Sequence, residues 1–176
     1  MRIAVGSDHR GDQLRGQLVD FLKNLGQEVV DVGNHGGGEC DYPDIAESVA
    51  RRVSSGEVHR GILICGTGIG MCIVANKFPG VRAAPCHDDV TADLSRRHND
   101  LNVLCLSGDL LGEKLADRLV EIWLNTRFEG GRHARRNAKI AELERRNGKS
   151  PSPANGQHPI AAAGDDAAQT ASPLHP

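Results

Sequence analysis

Residues 61–77 read GILICGTGIGMCIVANK. Residues 61–65 are continuously apolar, the pattern of a short strand covered on both faces. Residues 66–70 form a glycine-rich turn, and residues 71–77 continue as a helix. A buried strand that feeds a helix through such a turn predicts a parallel sheet with helices packed on it.

The rest of the chain repeats the alternation. Residues 2–6 (RIAVG), 28–32 (EVVDV), 81–86 (VRAAPC) and 102–106 (NVLCL) are further short strands. Between the first two, Leu14, Leu18, Phe21, Leu22 and Leu25 recur at helical spacing over 12–25, and Gly26 stops the helix. Pro43 opens a helix to about residue 53, where proline is tolerated. Residues 88–98 form a helix capped by Asp88 or Asp89. Residues 111–125 are amphipathic, and 132–146 make a last, very polar helix. Five strands alternating with helices predict an α/β fold with helices on both sides of the sheet and right-handed crossovers. In such sheets ligands bind beyond the carboxyl ends of the strands. Ser7-Asp8-His9, residues 65–70 and Cys86-His87 all fall at that edge.

Composition bounds the function. The chain has 176 residues, with 21 Lys+Arg against 23 Asp+Glu and a net charge of −2. That balance argues against a general polyanion binder. Aromatics make up only 3%, too few for stacking single-stranded bases, so no nucleic-acid partner is expected. No apolar run approaches the roughly 20 residues that span a bilayer, and Asp8 interrupts what a secretory signal would keep apolar. A soluble, cytoplasmic protein without membrane contact is expected. The five cysteines are odd in number, widely spaced and without a CxxC pair, which suggests neither a disulfide framework nor a zinc cage. Residues 150–176 hold five of the eight prolines and almost no large apolar residues. They read as a disordered Pro/Ala-rich tail behind a domain of residues 1–149.

Several residues could do chemistry. In Cys65-Gly66-Thr67-Gly68-Ile69-Gly70, alternate glycines let backbone N–H groups face one point, and a helix start follows. A phosphate or a developing enediolate oxygen could sit there. The turn is not a Walker loop, because no Gly-Lys-Ser/Thr follows. It is not the dinucleotide fingerprint either, which follows a first strand. Cys65 enters this turn, and as a thiolate it could act as base or nucleophile; alternatively it is a small buried strand residue like Cys105. Asp8 could fix sugar hydroxyls and His9 could bind phosphate, or Asp8 caps the next helix. His98, followed by Asn99, ends a helix, either as dipole stabilisation or as a general acid/base. Residues 127–147 carry a net charge of +4. Arg132 and Arg136 lie four apart on one helix face, suited to a phosphate dianion or to a solvated ion-paired surface. The inventory holds a base, an anion hole, an acid/base and a phosphate clamp, with no metal-ligand spacing. It fits proton transfers on a small phosphorylated sugar.

Taken together, Gly6-Ser7-Asp8-His9 with Gly11, Asp41-Tyr42-Pro43, residues 61–83, SRRHNDLNVL (95–104) and FEGGRHARR (128–136) resemble the RpiB/LacAB family of sugar-phosphate isomerases, most closely its type B ribose-5-phosphate isomerases. The resemblance covers about residues 1–147. It implies a three-layer Rossmann-like sandwich with a five-stranded parallel sheet. It implies a homodimer or dimer of dimers with active sites shared between subunits, and aldose–ketose isomerisation of ribose 5-phosphate and ribulose 5-phosphate without metal or organic cofactor. By position, Cys65 is the base that moves a proton between C1 and C2. Gly66, Gly68, Ile69 and Gly70 belong to the turn that holds the enediolate oxygens. Thr67 and His98 assist ring opening beside Asn99; Asp8 and Tyr42 contact the sugar; His9, Arg132 and Arg136 hold the phosphate. Some relatives place a glutamate base a few residues later, but Met71-Cys72-Ile73 offers no acid here. The family commonly carries a phosphate-binding arginine shortly after the fifth strand. Here Asp109 occupies that place, so it points away or takes a hydroxyl of a different substrate. The alternatives are therefore a hexose 6-phosphate or tetrose 4-phosphate isomerase, or a non-catalytic sugar-phosphate-binding module.

Overall fold

The computed structural model describes residues 1–33 and 38–148. The element order is β1 (Arg2–Ser7), α1 (Asp12–Asn24), β2 (Glu28–Asp31), α2 (Tyr42–Ser54), β3 (Arg60–Cys65), α3 (Ile69–Ala75), β4 (Ala83–Pro85), α4 (Asp89–Asn99), β5 (Val103–Ser107), α5 (Glu113–Asn125) and α6 (Gly131–Asn147). The five strands form one sheet in the order β2-β1-β3-β5-β4, with every pair parallel. No helix among the described residues is long and apolar enough to cross a membrane. The tail expected at 150–176 lies outside the described residues.

The uninterrupted apolar strands are explained by two cores, one on each face of the sheet. Ile3, Val5, Ile62, Ile64, Leu104 and Leu106 pack with α1, α4 and α5 side chains such as Leu18, Ala92, Leu119 and Trp123. The alternate residues Ala4, Leu63, Cys65, Val103 and Cys105 pack with Ala46, Val49 and Met71 of α2 and α3. Each fully buried aliphatic side chain stabilises the fold by about 1.5–3 kcal/mol, so three central strands buried on both sides fix the register.

Three elements begin two residues from where the sequence reading put them; α5 starts at Glu113 rather than residue 111, after its N-cap Gly112. β4 begins at Ala83 rather than residue 81, because side-chain amides take the backbone groups around it. The Ala83 N–H donates to Asn76 Oδ1, Asn76 Nδ2 donates to the Ala83 carbonyl, and the Arg82 N–H donates to Asn102 Oδ1. α3 begins at Ile69, two residues early, because Gly68 at φ +77° completes the turn before it. The cap of α4 is Asp88, whose side chain accepts from the Thr91 N–H in a capping box.

The sheet has two ends, and they matter for the site. Ser7, Cys65 and Ser107 close β1, β3 and β5 at the carboxyl edge. At the amino edge, the Gly61 N–H donates to the Asn102 carbonyl just after α4, and Arg60 Nη1 donates to the Trp123 carbonyl near the end of α5. The C-termini of α4 and α5, and hence the start of α6, therefore lie at the amino edge. A six-residue strand, about 20 Å, separates the two ends.

Candidate active site

The strand order reverses direction between β1 and β3, and the loops after these strands meet at the carboxyl edge, where α/β sheets bind ligands. Asp8 is 5% exposed. Its Oδ1 accepts from the Arg10 and Gly11 N–H groups, so it braces the β1–α1 turn; the cap of α1 itself is Gly11. His9 is exposed beside it.

Cys65 is the last residue of β3 and is 5% exposed in the single chain. Its Sγ accepts from the Gly68 N–H at 3.2 Å, so one amide of the turn already faces the sulfur. The next amide, of Ile69, donates to Thr67 Oγ1. Thr67 and Ile69 are exposed. The turn requires its glycines for different reasons. Gly68 has a left-handed backbone that side chains rarely adopt. A Cβ at Gly70 would lie 2.6 Å from the Tyr42 ring, which leans on the turn. A Cβ at Gly66 would meet Asp109 and Arg10. Asp8, His9, Tyr42, Cys65, Gly66, Thr67, Gly68, Ile69 and Gly70 thus share one edge.

The other sequence-derived residues do not. His98 and Asn99 end α4, and Arg132 and Arg136 open α6, all at the amino edge. There His98 stacks on His133, with centroids 4.1 Å apart and planes within 4°. Arg97 Nε donates to Glu129 Oε1 at 2.6 Å, and Glu129 approaches His133 at 3.7 Å. Burial lowers the His133 pKa below its ordinary 6.5, and the charges of His98, Arg132 and Arg136 push the same way. Arg97 lowers the pKa of Glu129. His98, Glu129 and His133 are close enough to suggest a cation site, but the geometry does not fit one. A metal lies in the plane of each imidazole that binds it, and two parallel stacked rings share no such point. With Arg97, Arg132 and Arg136 around it, the cluster suits an anion.

Three features escaped the sequence reading. His133 is the buried anchor of α6, found only through its stack. Cys72 has a thiol pKa lowered to about 7 by a hydrogen bond with Cys105, whereas burial pushes Cys86 up to about 11. Asp109 points neither away nor to an open hydroxyl site: its carboxylate pairs with Arg10, through Nε at 3.2 Å and Nη2 at 2.5 Å.

Comparison with known proteins agrees with this architecture. The model of the Ribose/Galactose Isomerase family matches residues 3–140. Ribose-5-phosphate isomerase B of Escherichia coli is 46% identical over 145 residues, covering 82% of this chain and 97% of that protein. D-erythrulose-4-phosphate isomerase of Pectobacterium atrosepticum is 41% identical, covering 82% and 95%. The structure of Clostridium thermocellum ribose-5-phosphate isomerase B superposes with a TM-score of 0.81 at 51% identity, covering 83% of this chain and 99% of that one. Sheet topology, matched span and identity agree, and the chain belongs to the ribose/galactose isomerase family, an aldose–ketose isomerase by that membership.

Proposed function

We propose that the protein interconverts ribose 5-phosphate and ribulose 5-phosphate through an enediolate, with Cys65 as the base. The observation that carries this reading is the contact of the Cys65 sulfur with the amide of the glycine turn, at the β1/β3 edge beside Asp8. His98 and Thr67 open the sugar ring: the C1 hydroxyl gives up its proton, the bond from C1 to the ring oxygen breaks, and the ring oxygen receives a proton. The Cys65 thiolate takes the proton from C2 of the open aldose. The C–H electron pair becomes the C1–C2 double bond, and the charge moves to the C1 oxygen. Amides of the 66–70 turn stabilise that oxygen without reorganising. The proton of the C2 hydroxyl passes to the C1 oxygen, the thiol returns the carbon-bound proton to C1, and a carbonyl remains at C2, so no oxidant or reductant is consumed. Asp8 and Tyr42 orient the hydroxyls, Asn99 assists His98, and His9, Arg132 and Arg136 grip the phosphate.

The distribution of these groups over both ends of the sheet supports a homodimer. His98, Asn99, Arg132 and Arg136 of one protomer would complete the carboxyl edge of its partner. Exposed Ile69 and Ile73 on α3 are apolar surface available to such a contact. The 41% identity to a D-erythrulose-4-phosphate isomerase makes a four-carbon sugar phosphate the second reading. The test is NMR observation of solvent deuterium entering C2 of phosphorylated C4, C5 and C6 aldoses. Fastest exchange with the C5 compound is expected; preference for C4 selects the second reading, and no exchange with any of them removes both.

A further inference from the structure

Arg10 and Asp109 lie 99 residues apart and meet above the glycine turn. Asp109 is held there by backbone. Its N–H donates to the Gly66 carbonyl at 3.2 Å, and the Gly108 N–H donates to the Cys65 carbonyl at 2.8 Å. Ser107 Oγ donates to the Gly66 carbonyl and accepts from the Leu110 N–H. A Cβ at Gly108 would come 2.7 Å from the Arg10 carbonyl, and one at Gly66 would come 2.9 Å from Asp109 Oδ2 and 3.0 Å from Arg10 Nε. The loops after β1, β3 and β5 are thus drawn together, with the ion pair packed against Gly66 of the turn. An exposed ion pair contributes little to stability, and 58% of the Arg10 side chain is exposed, so the fold alone gives little reason for this construction.

The geometry of the pair supplies a reason. Asp109 engages the Nε and Nη2 edge of the guanidinium, which fixes its plane. The Nη1 edge has no hydrogen-bond partner among the described residues. A guanidinium so oriented is prepared to give paired N–H donors to an oxyanion. It follows His9 directly in the chain, and the Asp8 carboxylate adds to the negative field around it.

We propose that Arg10, aimed by Asp109, is a substrate-binding residue that contacts the phosphate of the sugar at the carboxyl-edge half of the site. This rests on the isomerase reading above. Asp109 is then a positioning residue, and its carboxylate is not a net repulsion toward the substrate because Arg10 neutralises it.

The test compares wild type with Arg10→Ala, Arg10→Lys and Asp109→Asn. Arg10→Ala should raise KM for the phosphorylated aldose by about 10- to 100-fold, with a much smaller change in kcat. It should weaken competitive inhibition by inorganic phosphate by a similar factor. Arg10→Lys should recover part of both losses, and Asp109→Asn should raise KM by loosening the arginine. Calorimetric binding of inorganic phosphate to the same proteins reads the contact independently of turnover. Unchanged KM and phosphate affinity in Arg10→Ala would overturn the inference while wild-type activity left the isomerase reading intact. A wild type that exchanges no deuterium would sink that reading, and the phosphate calorimetry would still decide for or against Arg10.

Discussion

The Cys65 sulfur sits at the end of an apolar strand yet touches a turn amide, so packing and the proposed chemistry meet in one atom. Cys65→Ala removes the proposed base and little volume. Its kcat should fall by at least about a thousandfold, within the range attributable to a positioned base, while phosphosugar binding measured by calorimetry persists. Turnover near wild type would show that another group moves the proton. At this scale the sequence was only partly readable. The turn and Cys65 announce themselves because they are contiguous. The Arg10–Asp109 pair and the His98–His133 stack do not, because each joins residues brought together only by the sheet. Asp8 showed the same limit from the other side: its turn-bracing role required seeing which amides its Oδ1 collects.

Among the elements, the strands and α1 to α5 were legible because burial on both sheet faces and the capping signals leave direct marks in composition. Only the bounds of the short β4 were misplaced, since the side-chain amides of Asn76 and Asn102 take backbone groups at its start that no periodicity reveals. α6 is held by different forces. His133 is its buried anchor, and its neighbours Glu129, Arg97 and His98 are polar. The docked His133 binds its proton only below the ordinary histidine pKa of 6.5. A detached α6 takes up that proton first as pH falls, so acid favours detachment. Amide-exchange protection of α6, corrected for intrinsic rates, should therefore decline as pH drops below about 6.5. His133→Gln, uncharged throughout, should flatten the decline. Parallel profiles for the two proteins would show that this imidazole does not govern the docking.

For the whole molecule, the separation of the site residues onto opposite ends of the sheet makes a quantitative demand on assembly. If each centre draws Cys65 from one protomer and His98 from the other, two dead variants repair each other. Mixing and reassembling Cys65→Ala with His98→Asn should give heterodimers with one sound centre and one doubly defective centre. Random pairing in a symmetric dimer then restores about a quarter of wild-type activity. Mixtures as inactive as their parents would mean that every centre is built within a single chain.

Neither hydrophobic core includes a residue of α6, and its surface carries Arg132 and Arg136. If those arginines grip the phosphate as proposed, integrity and cargo preference can drift independently over evolutionary time. Substitutions along this outlying segment would then retune which charged metabolite is welcomed while both hydrophobic cores stay unchanged.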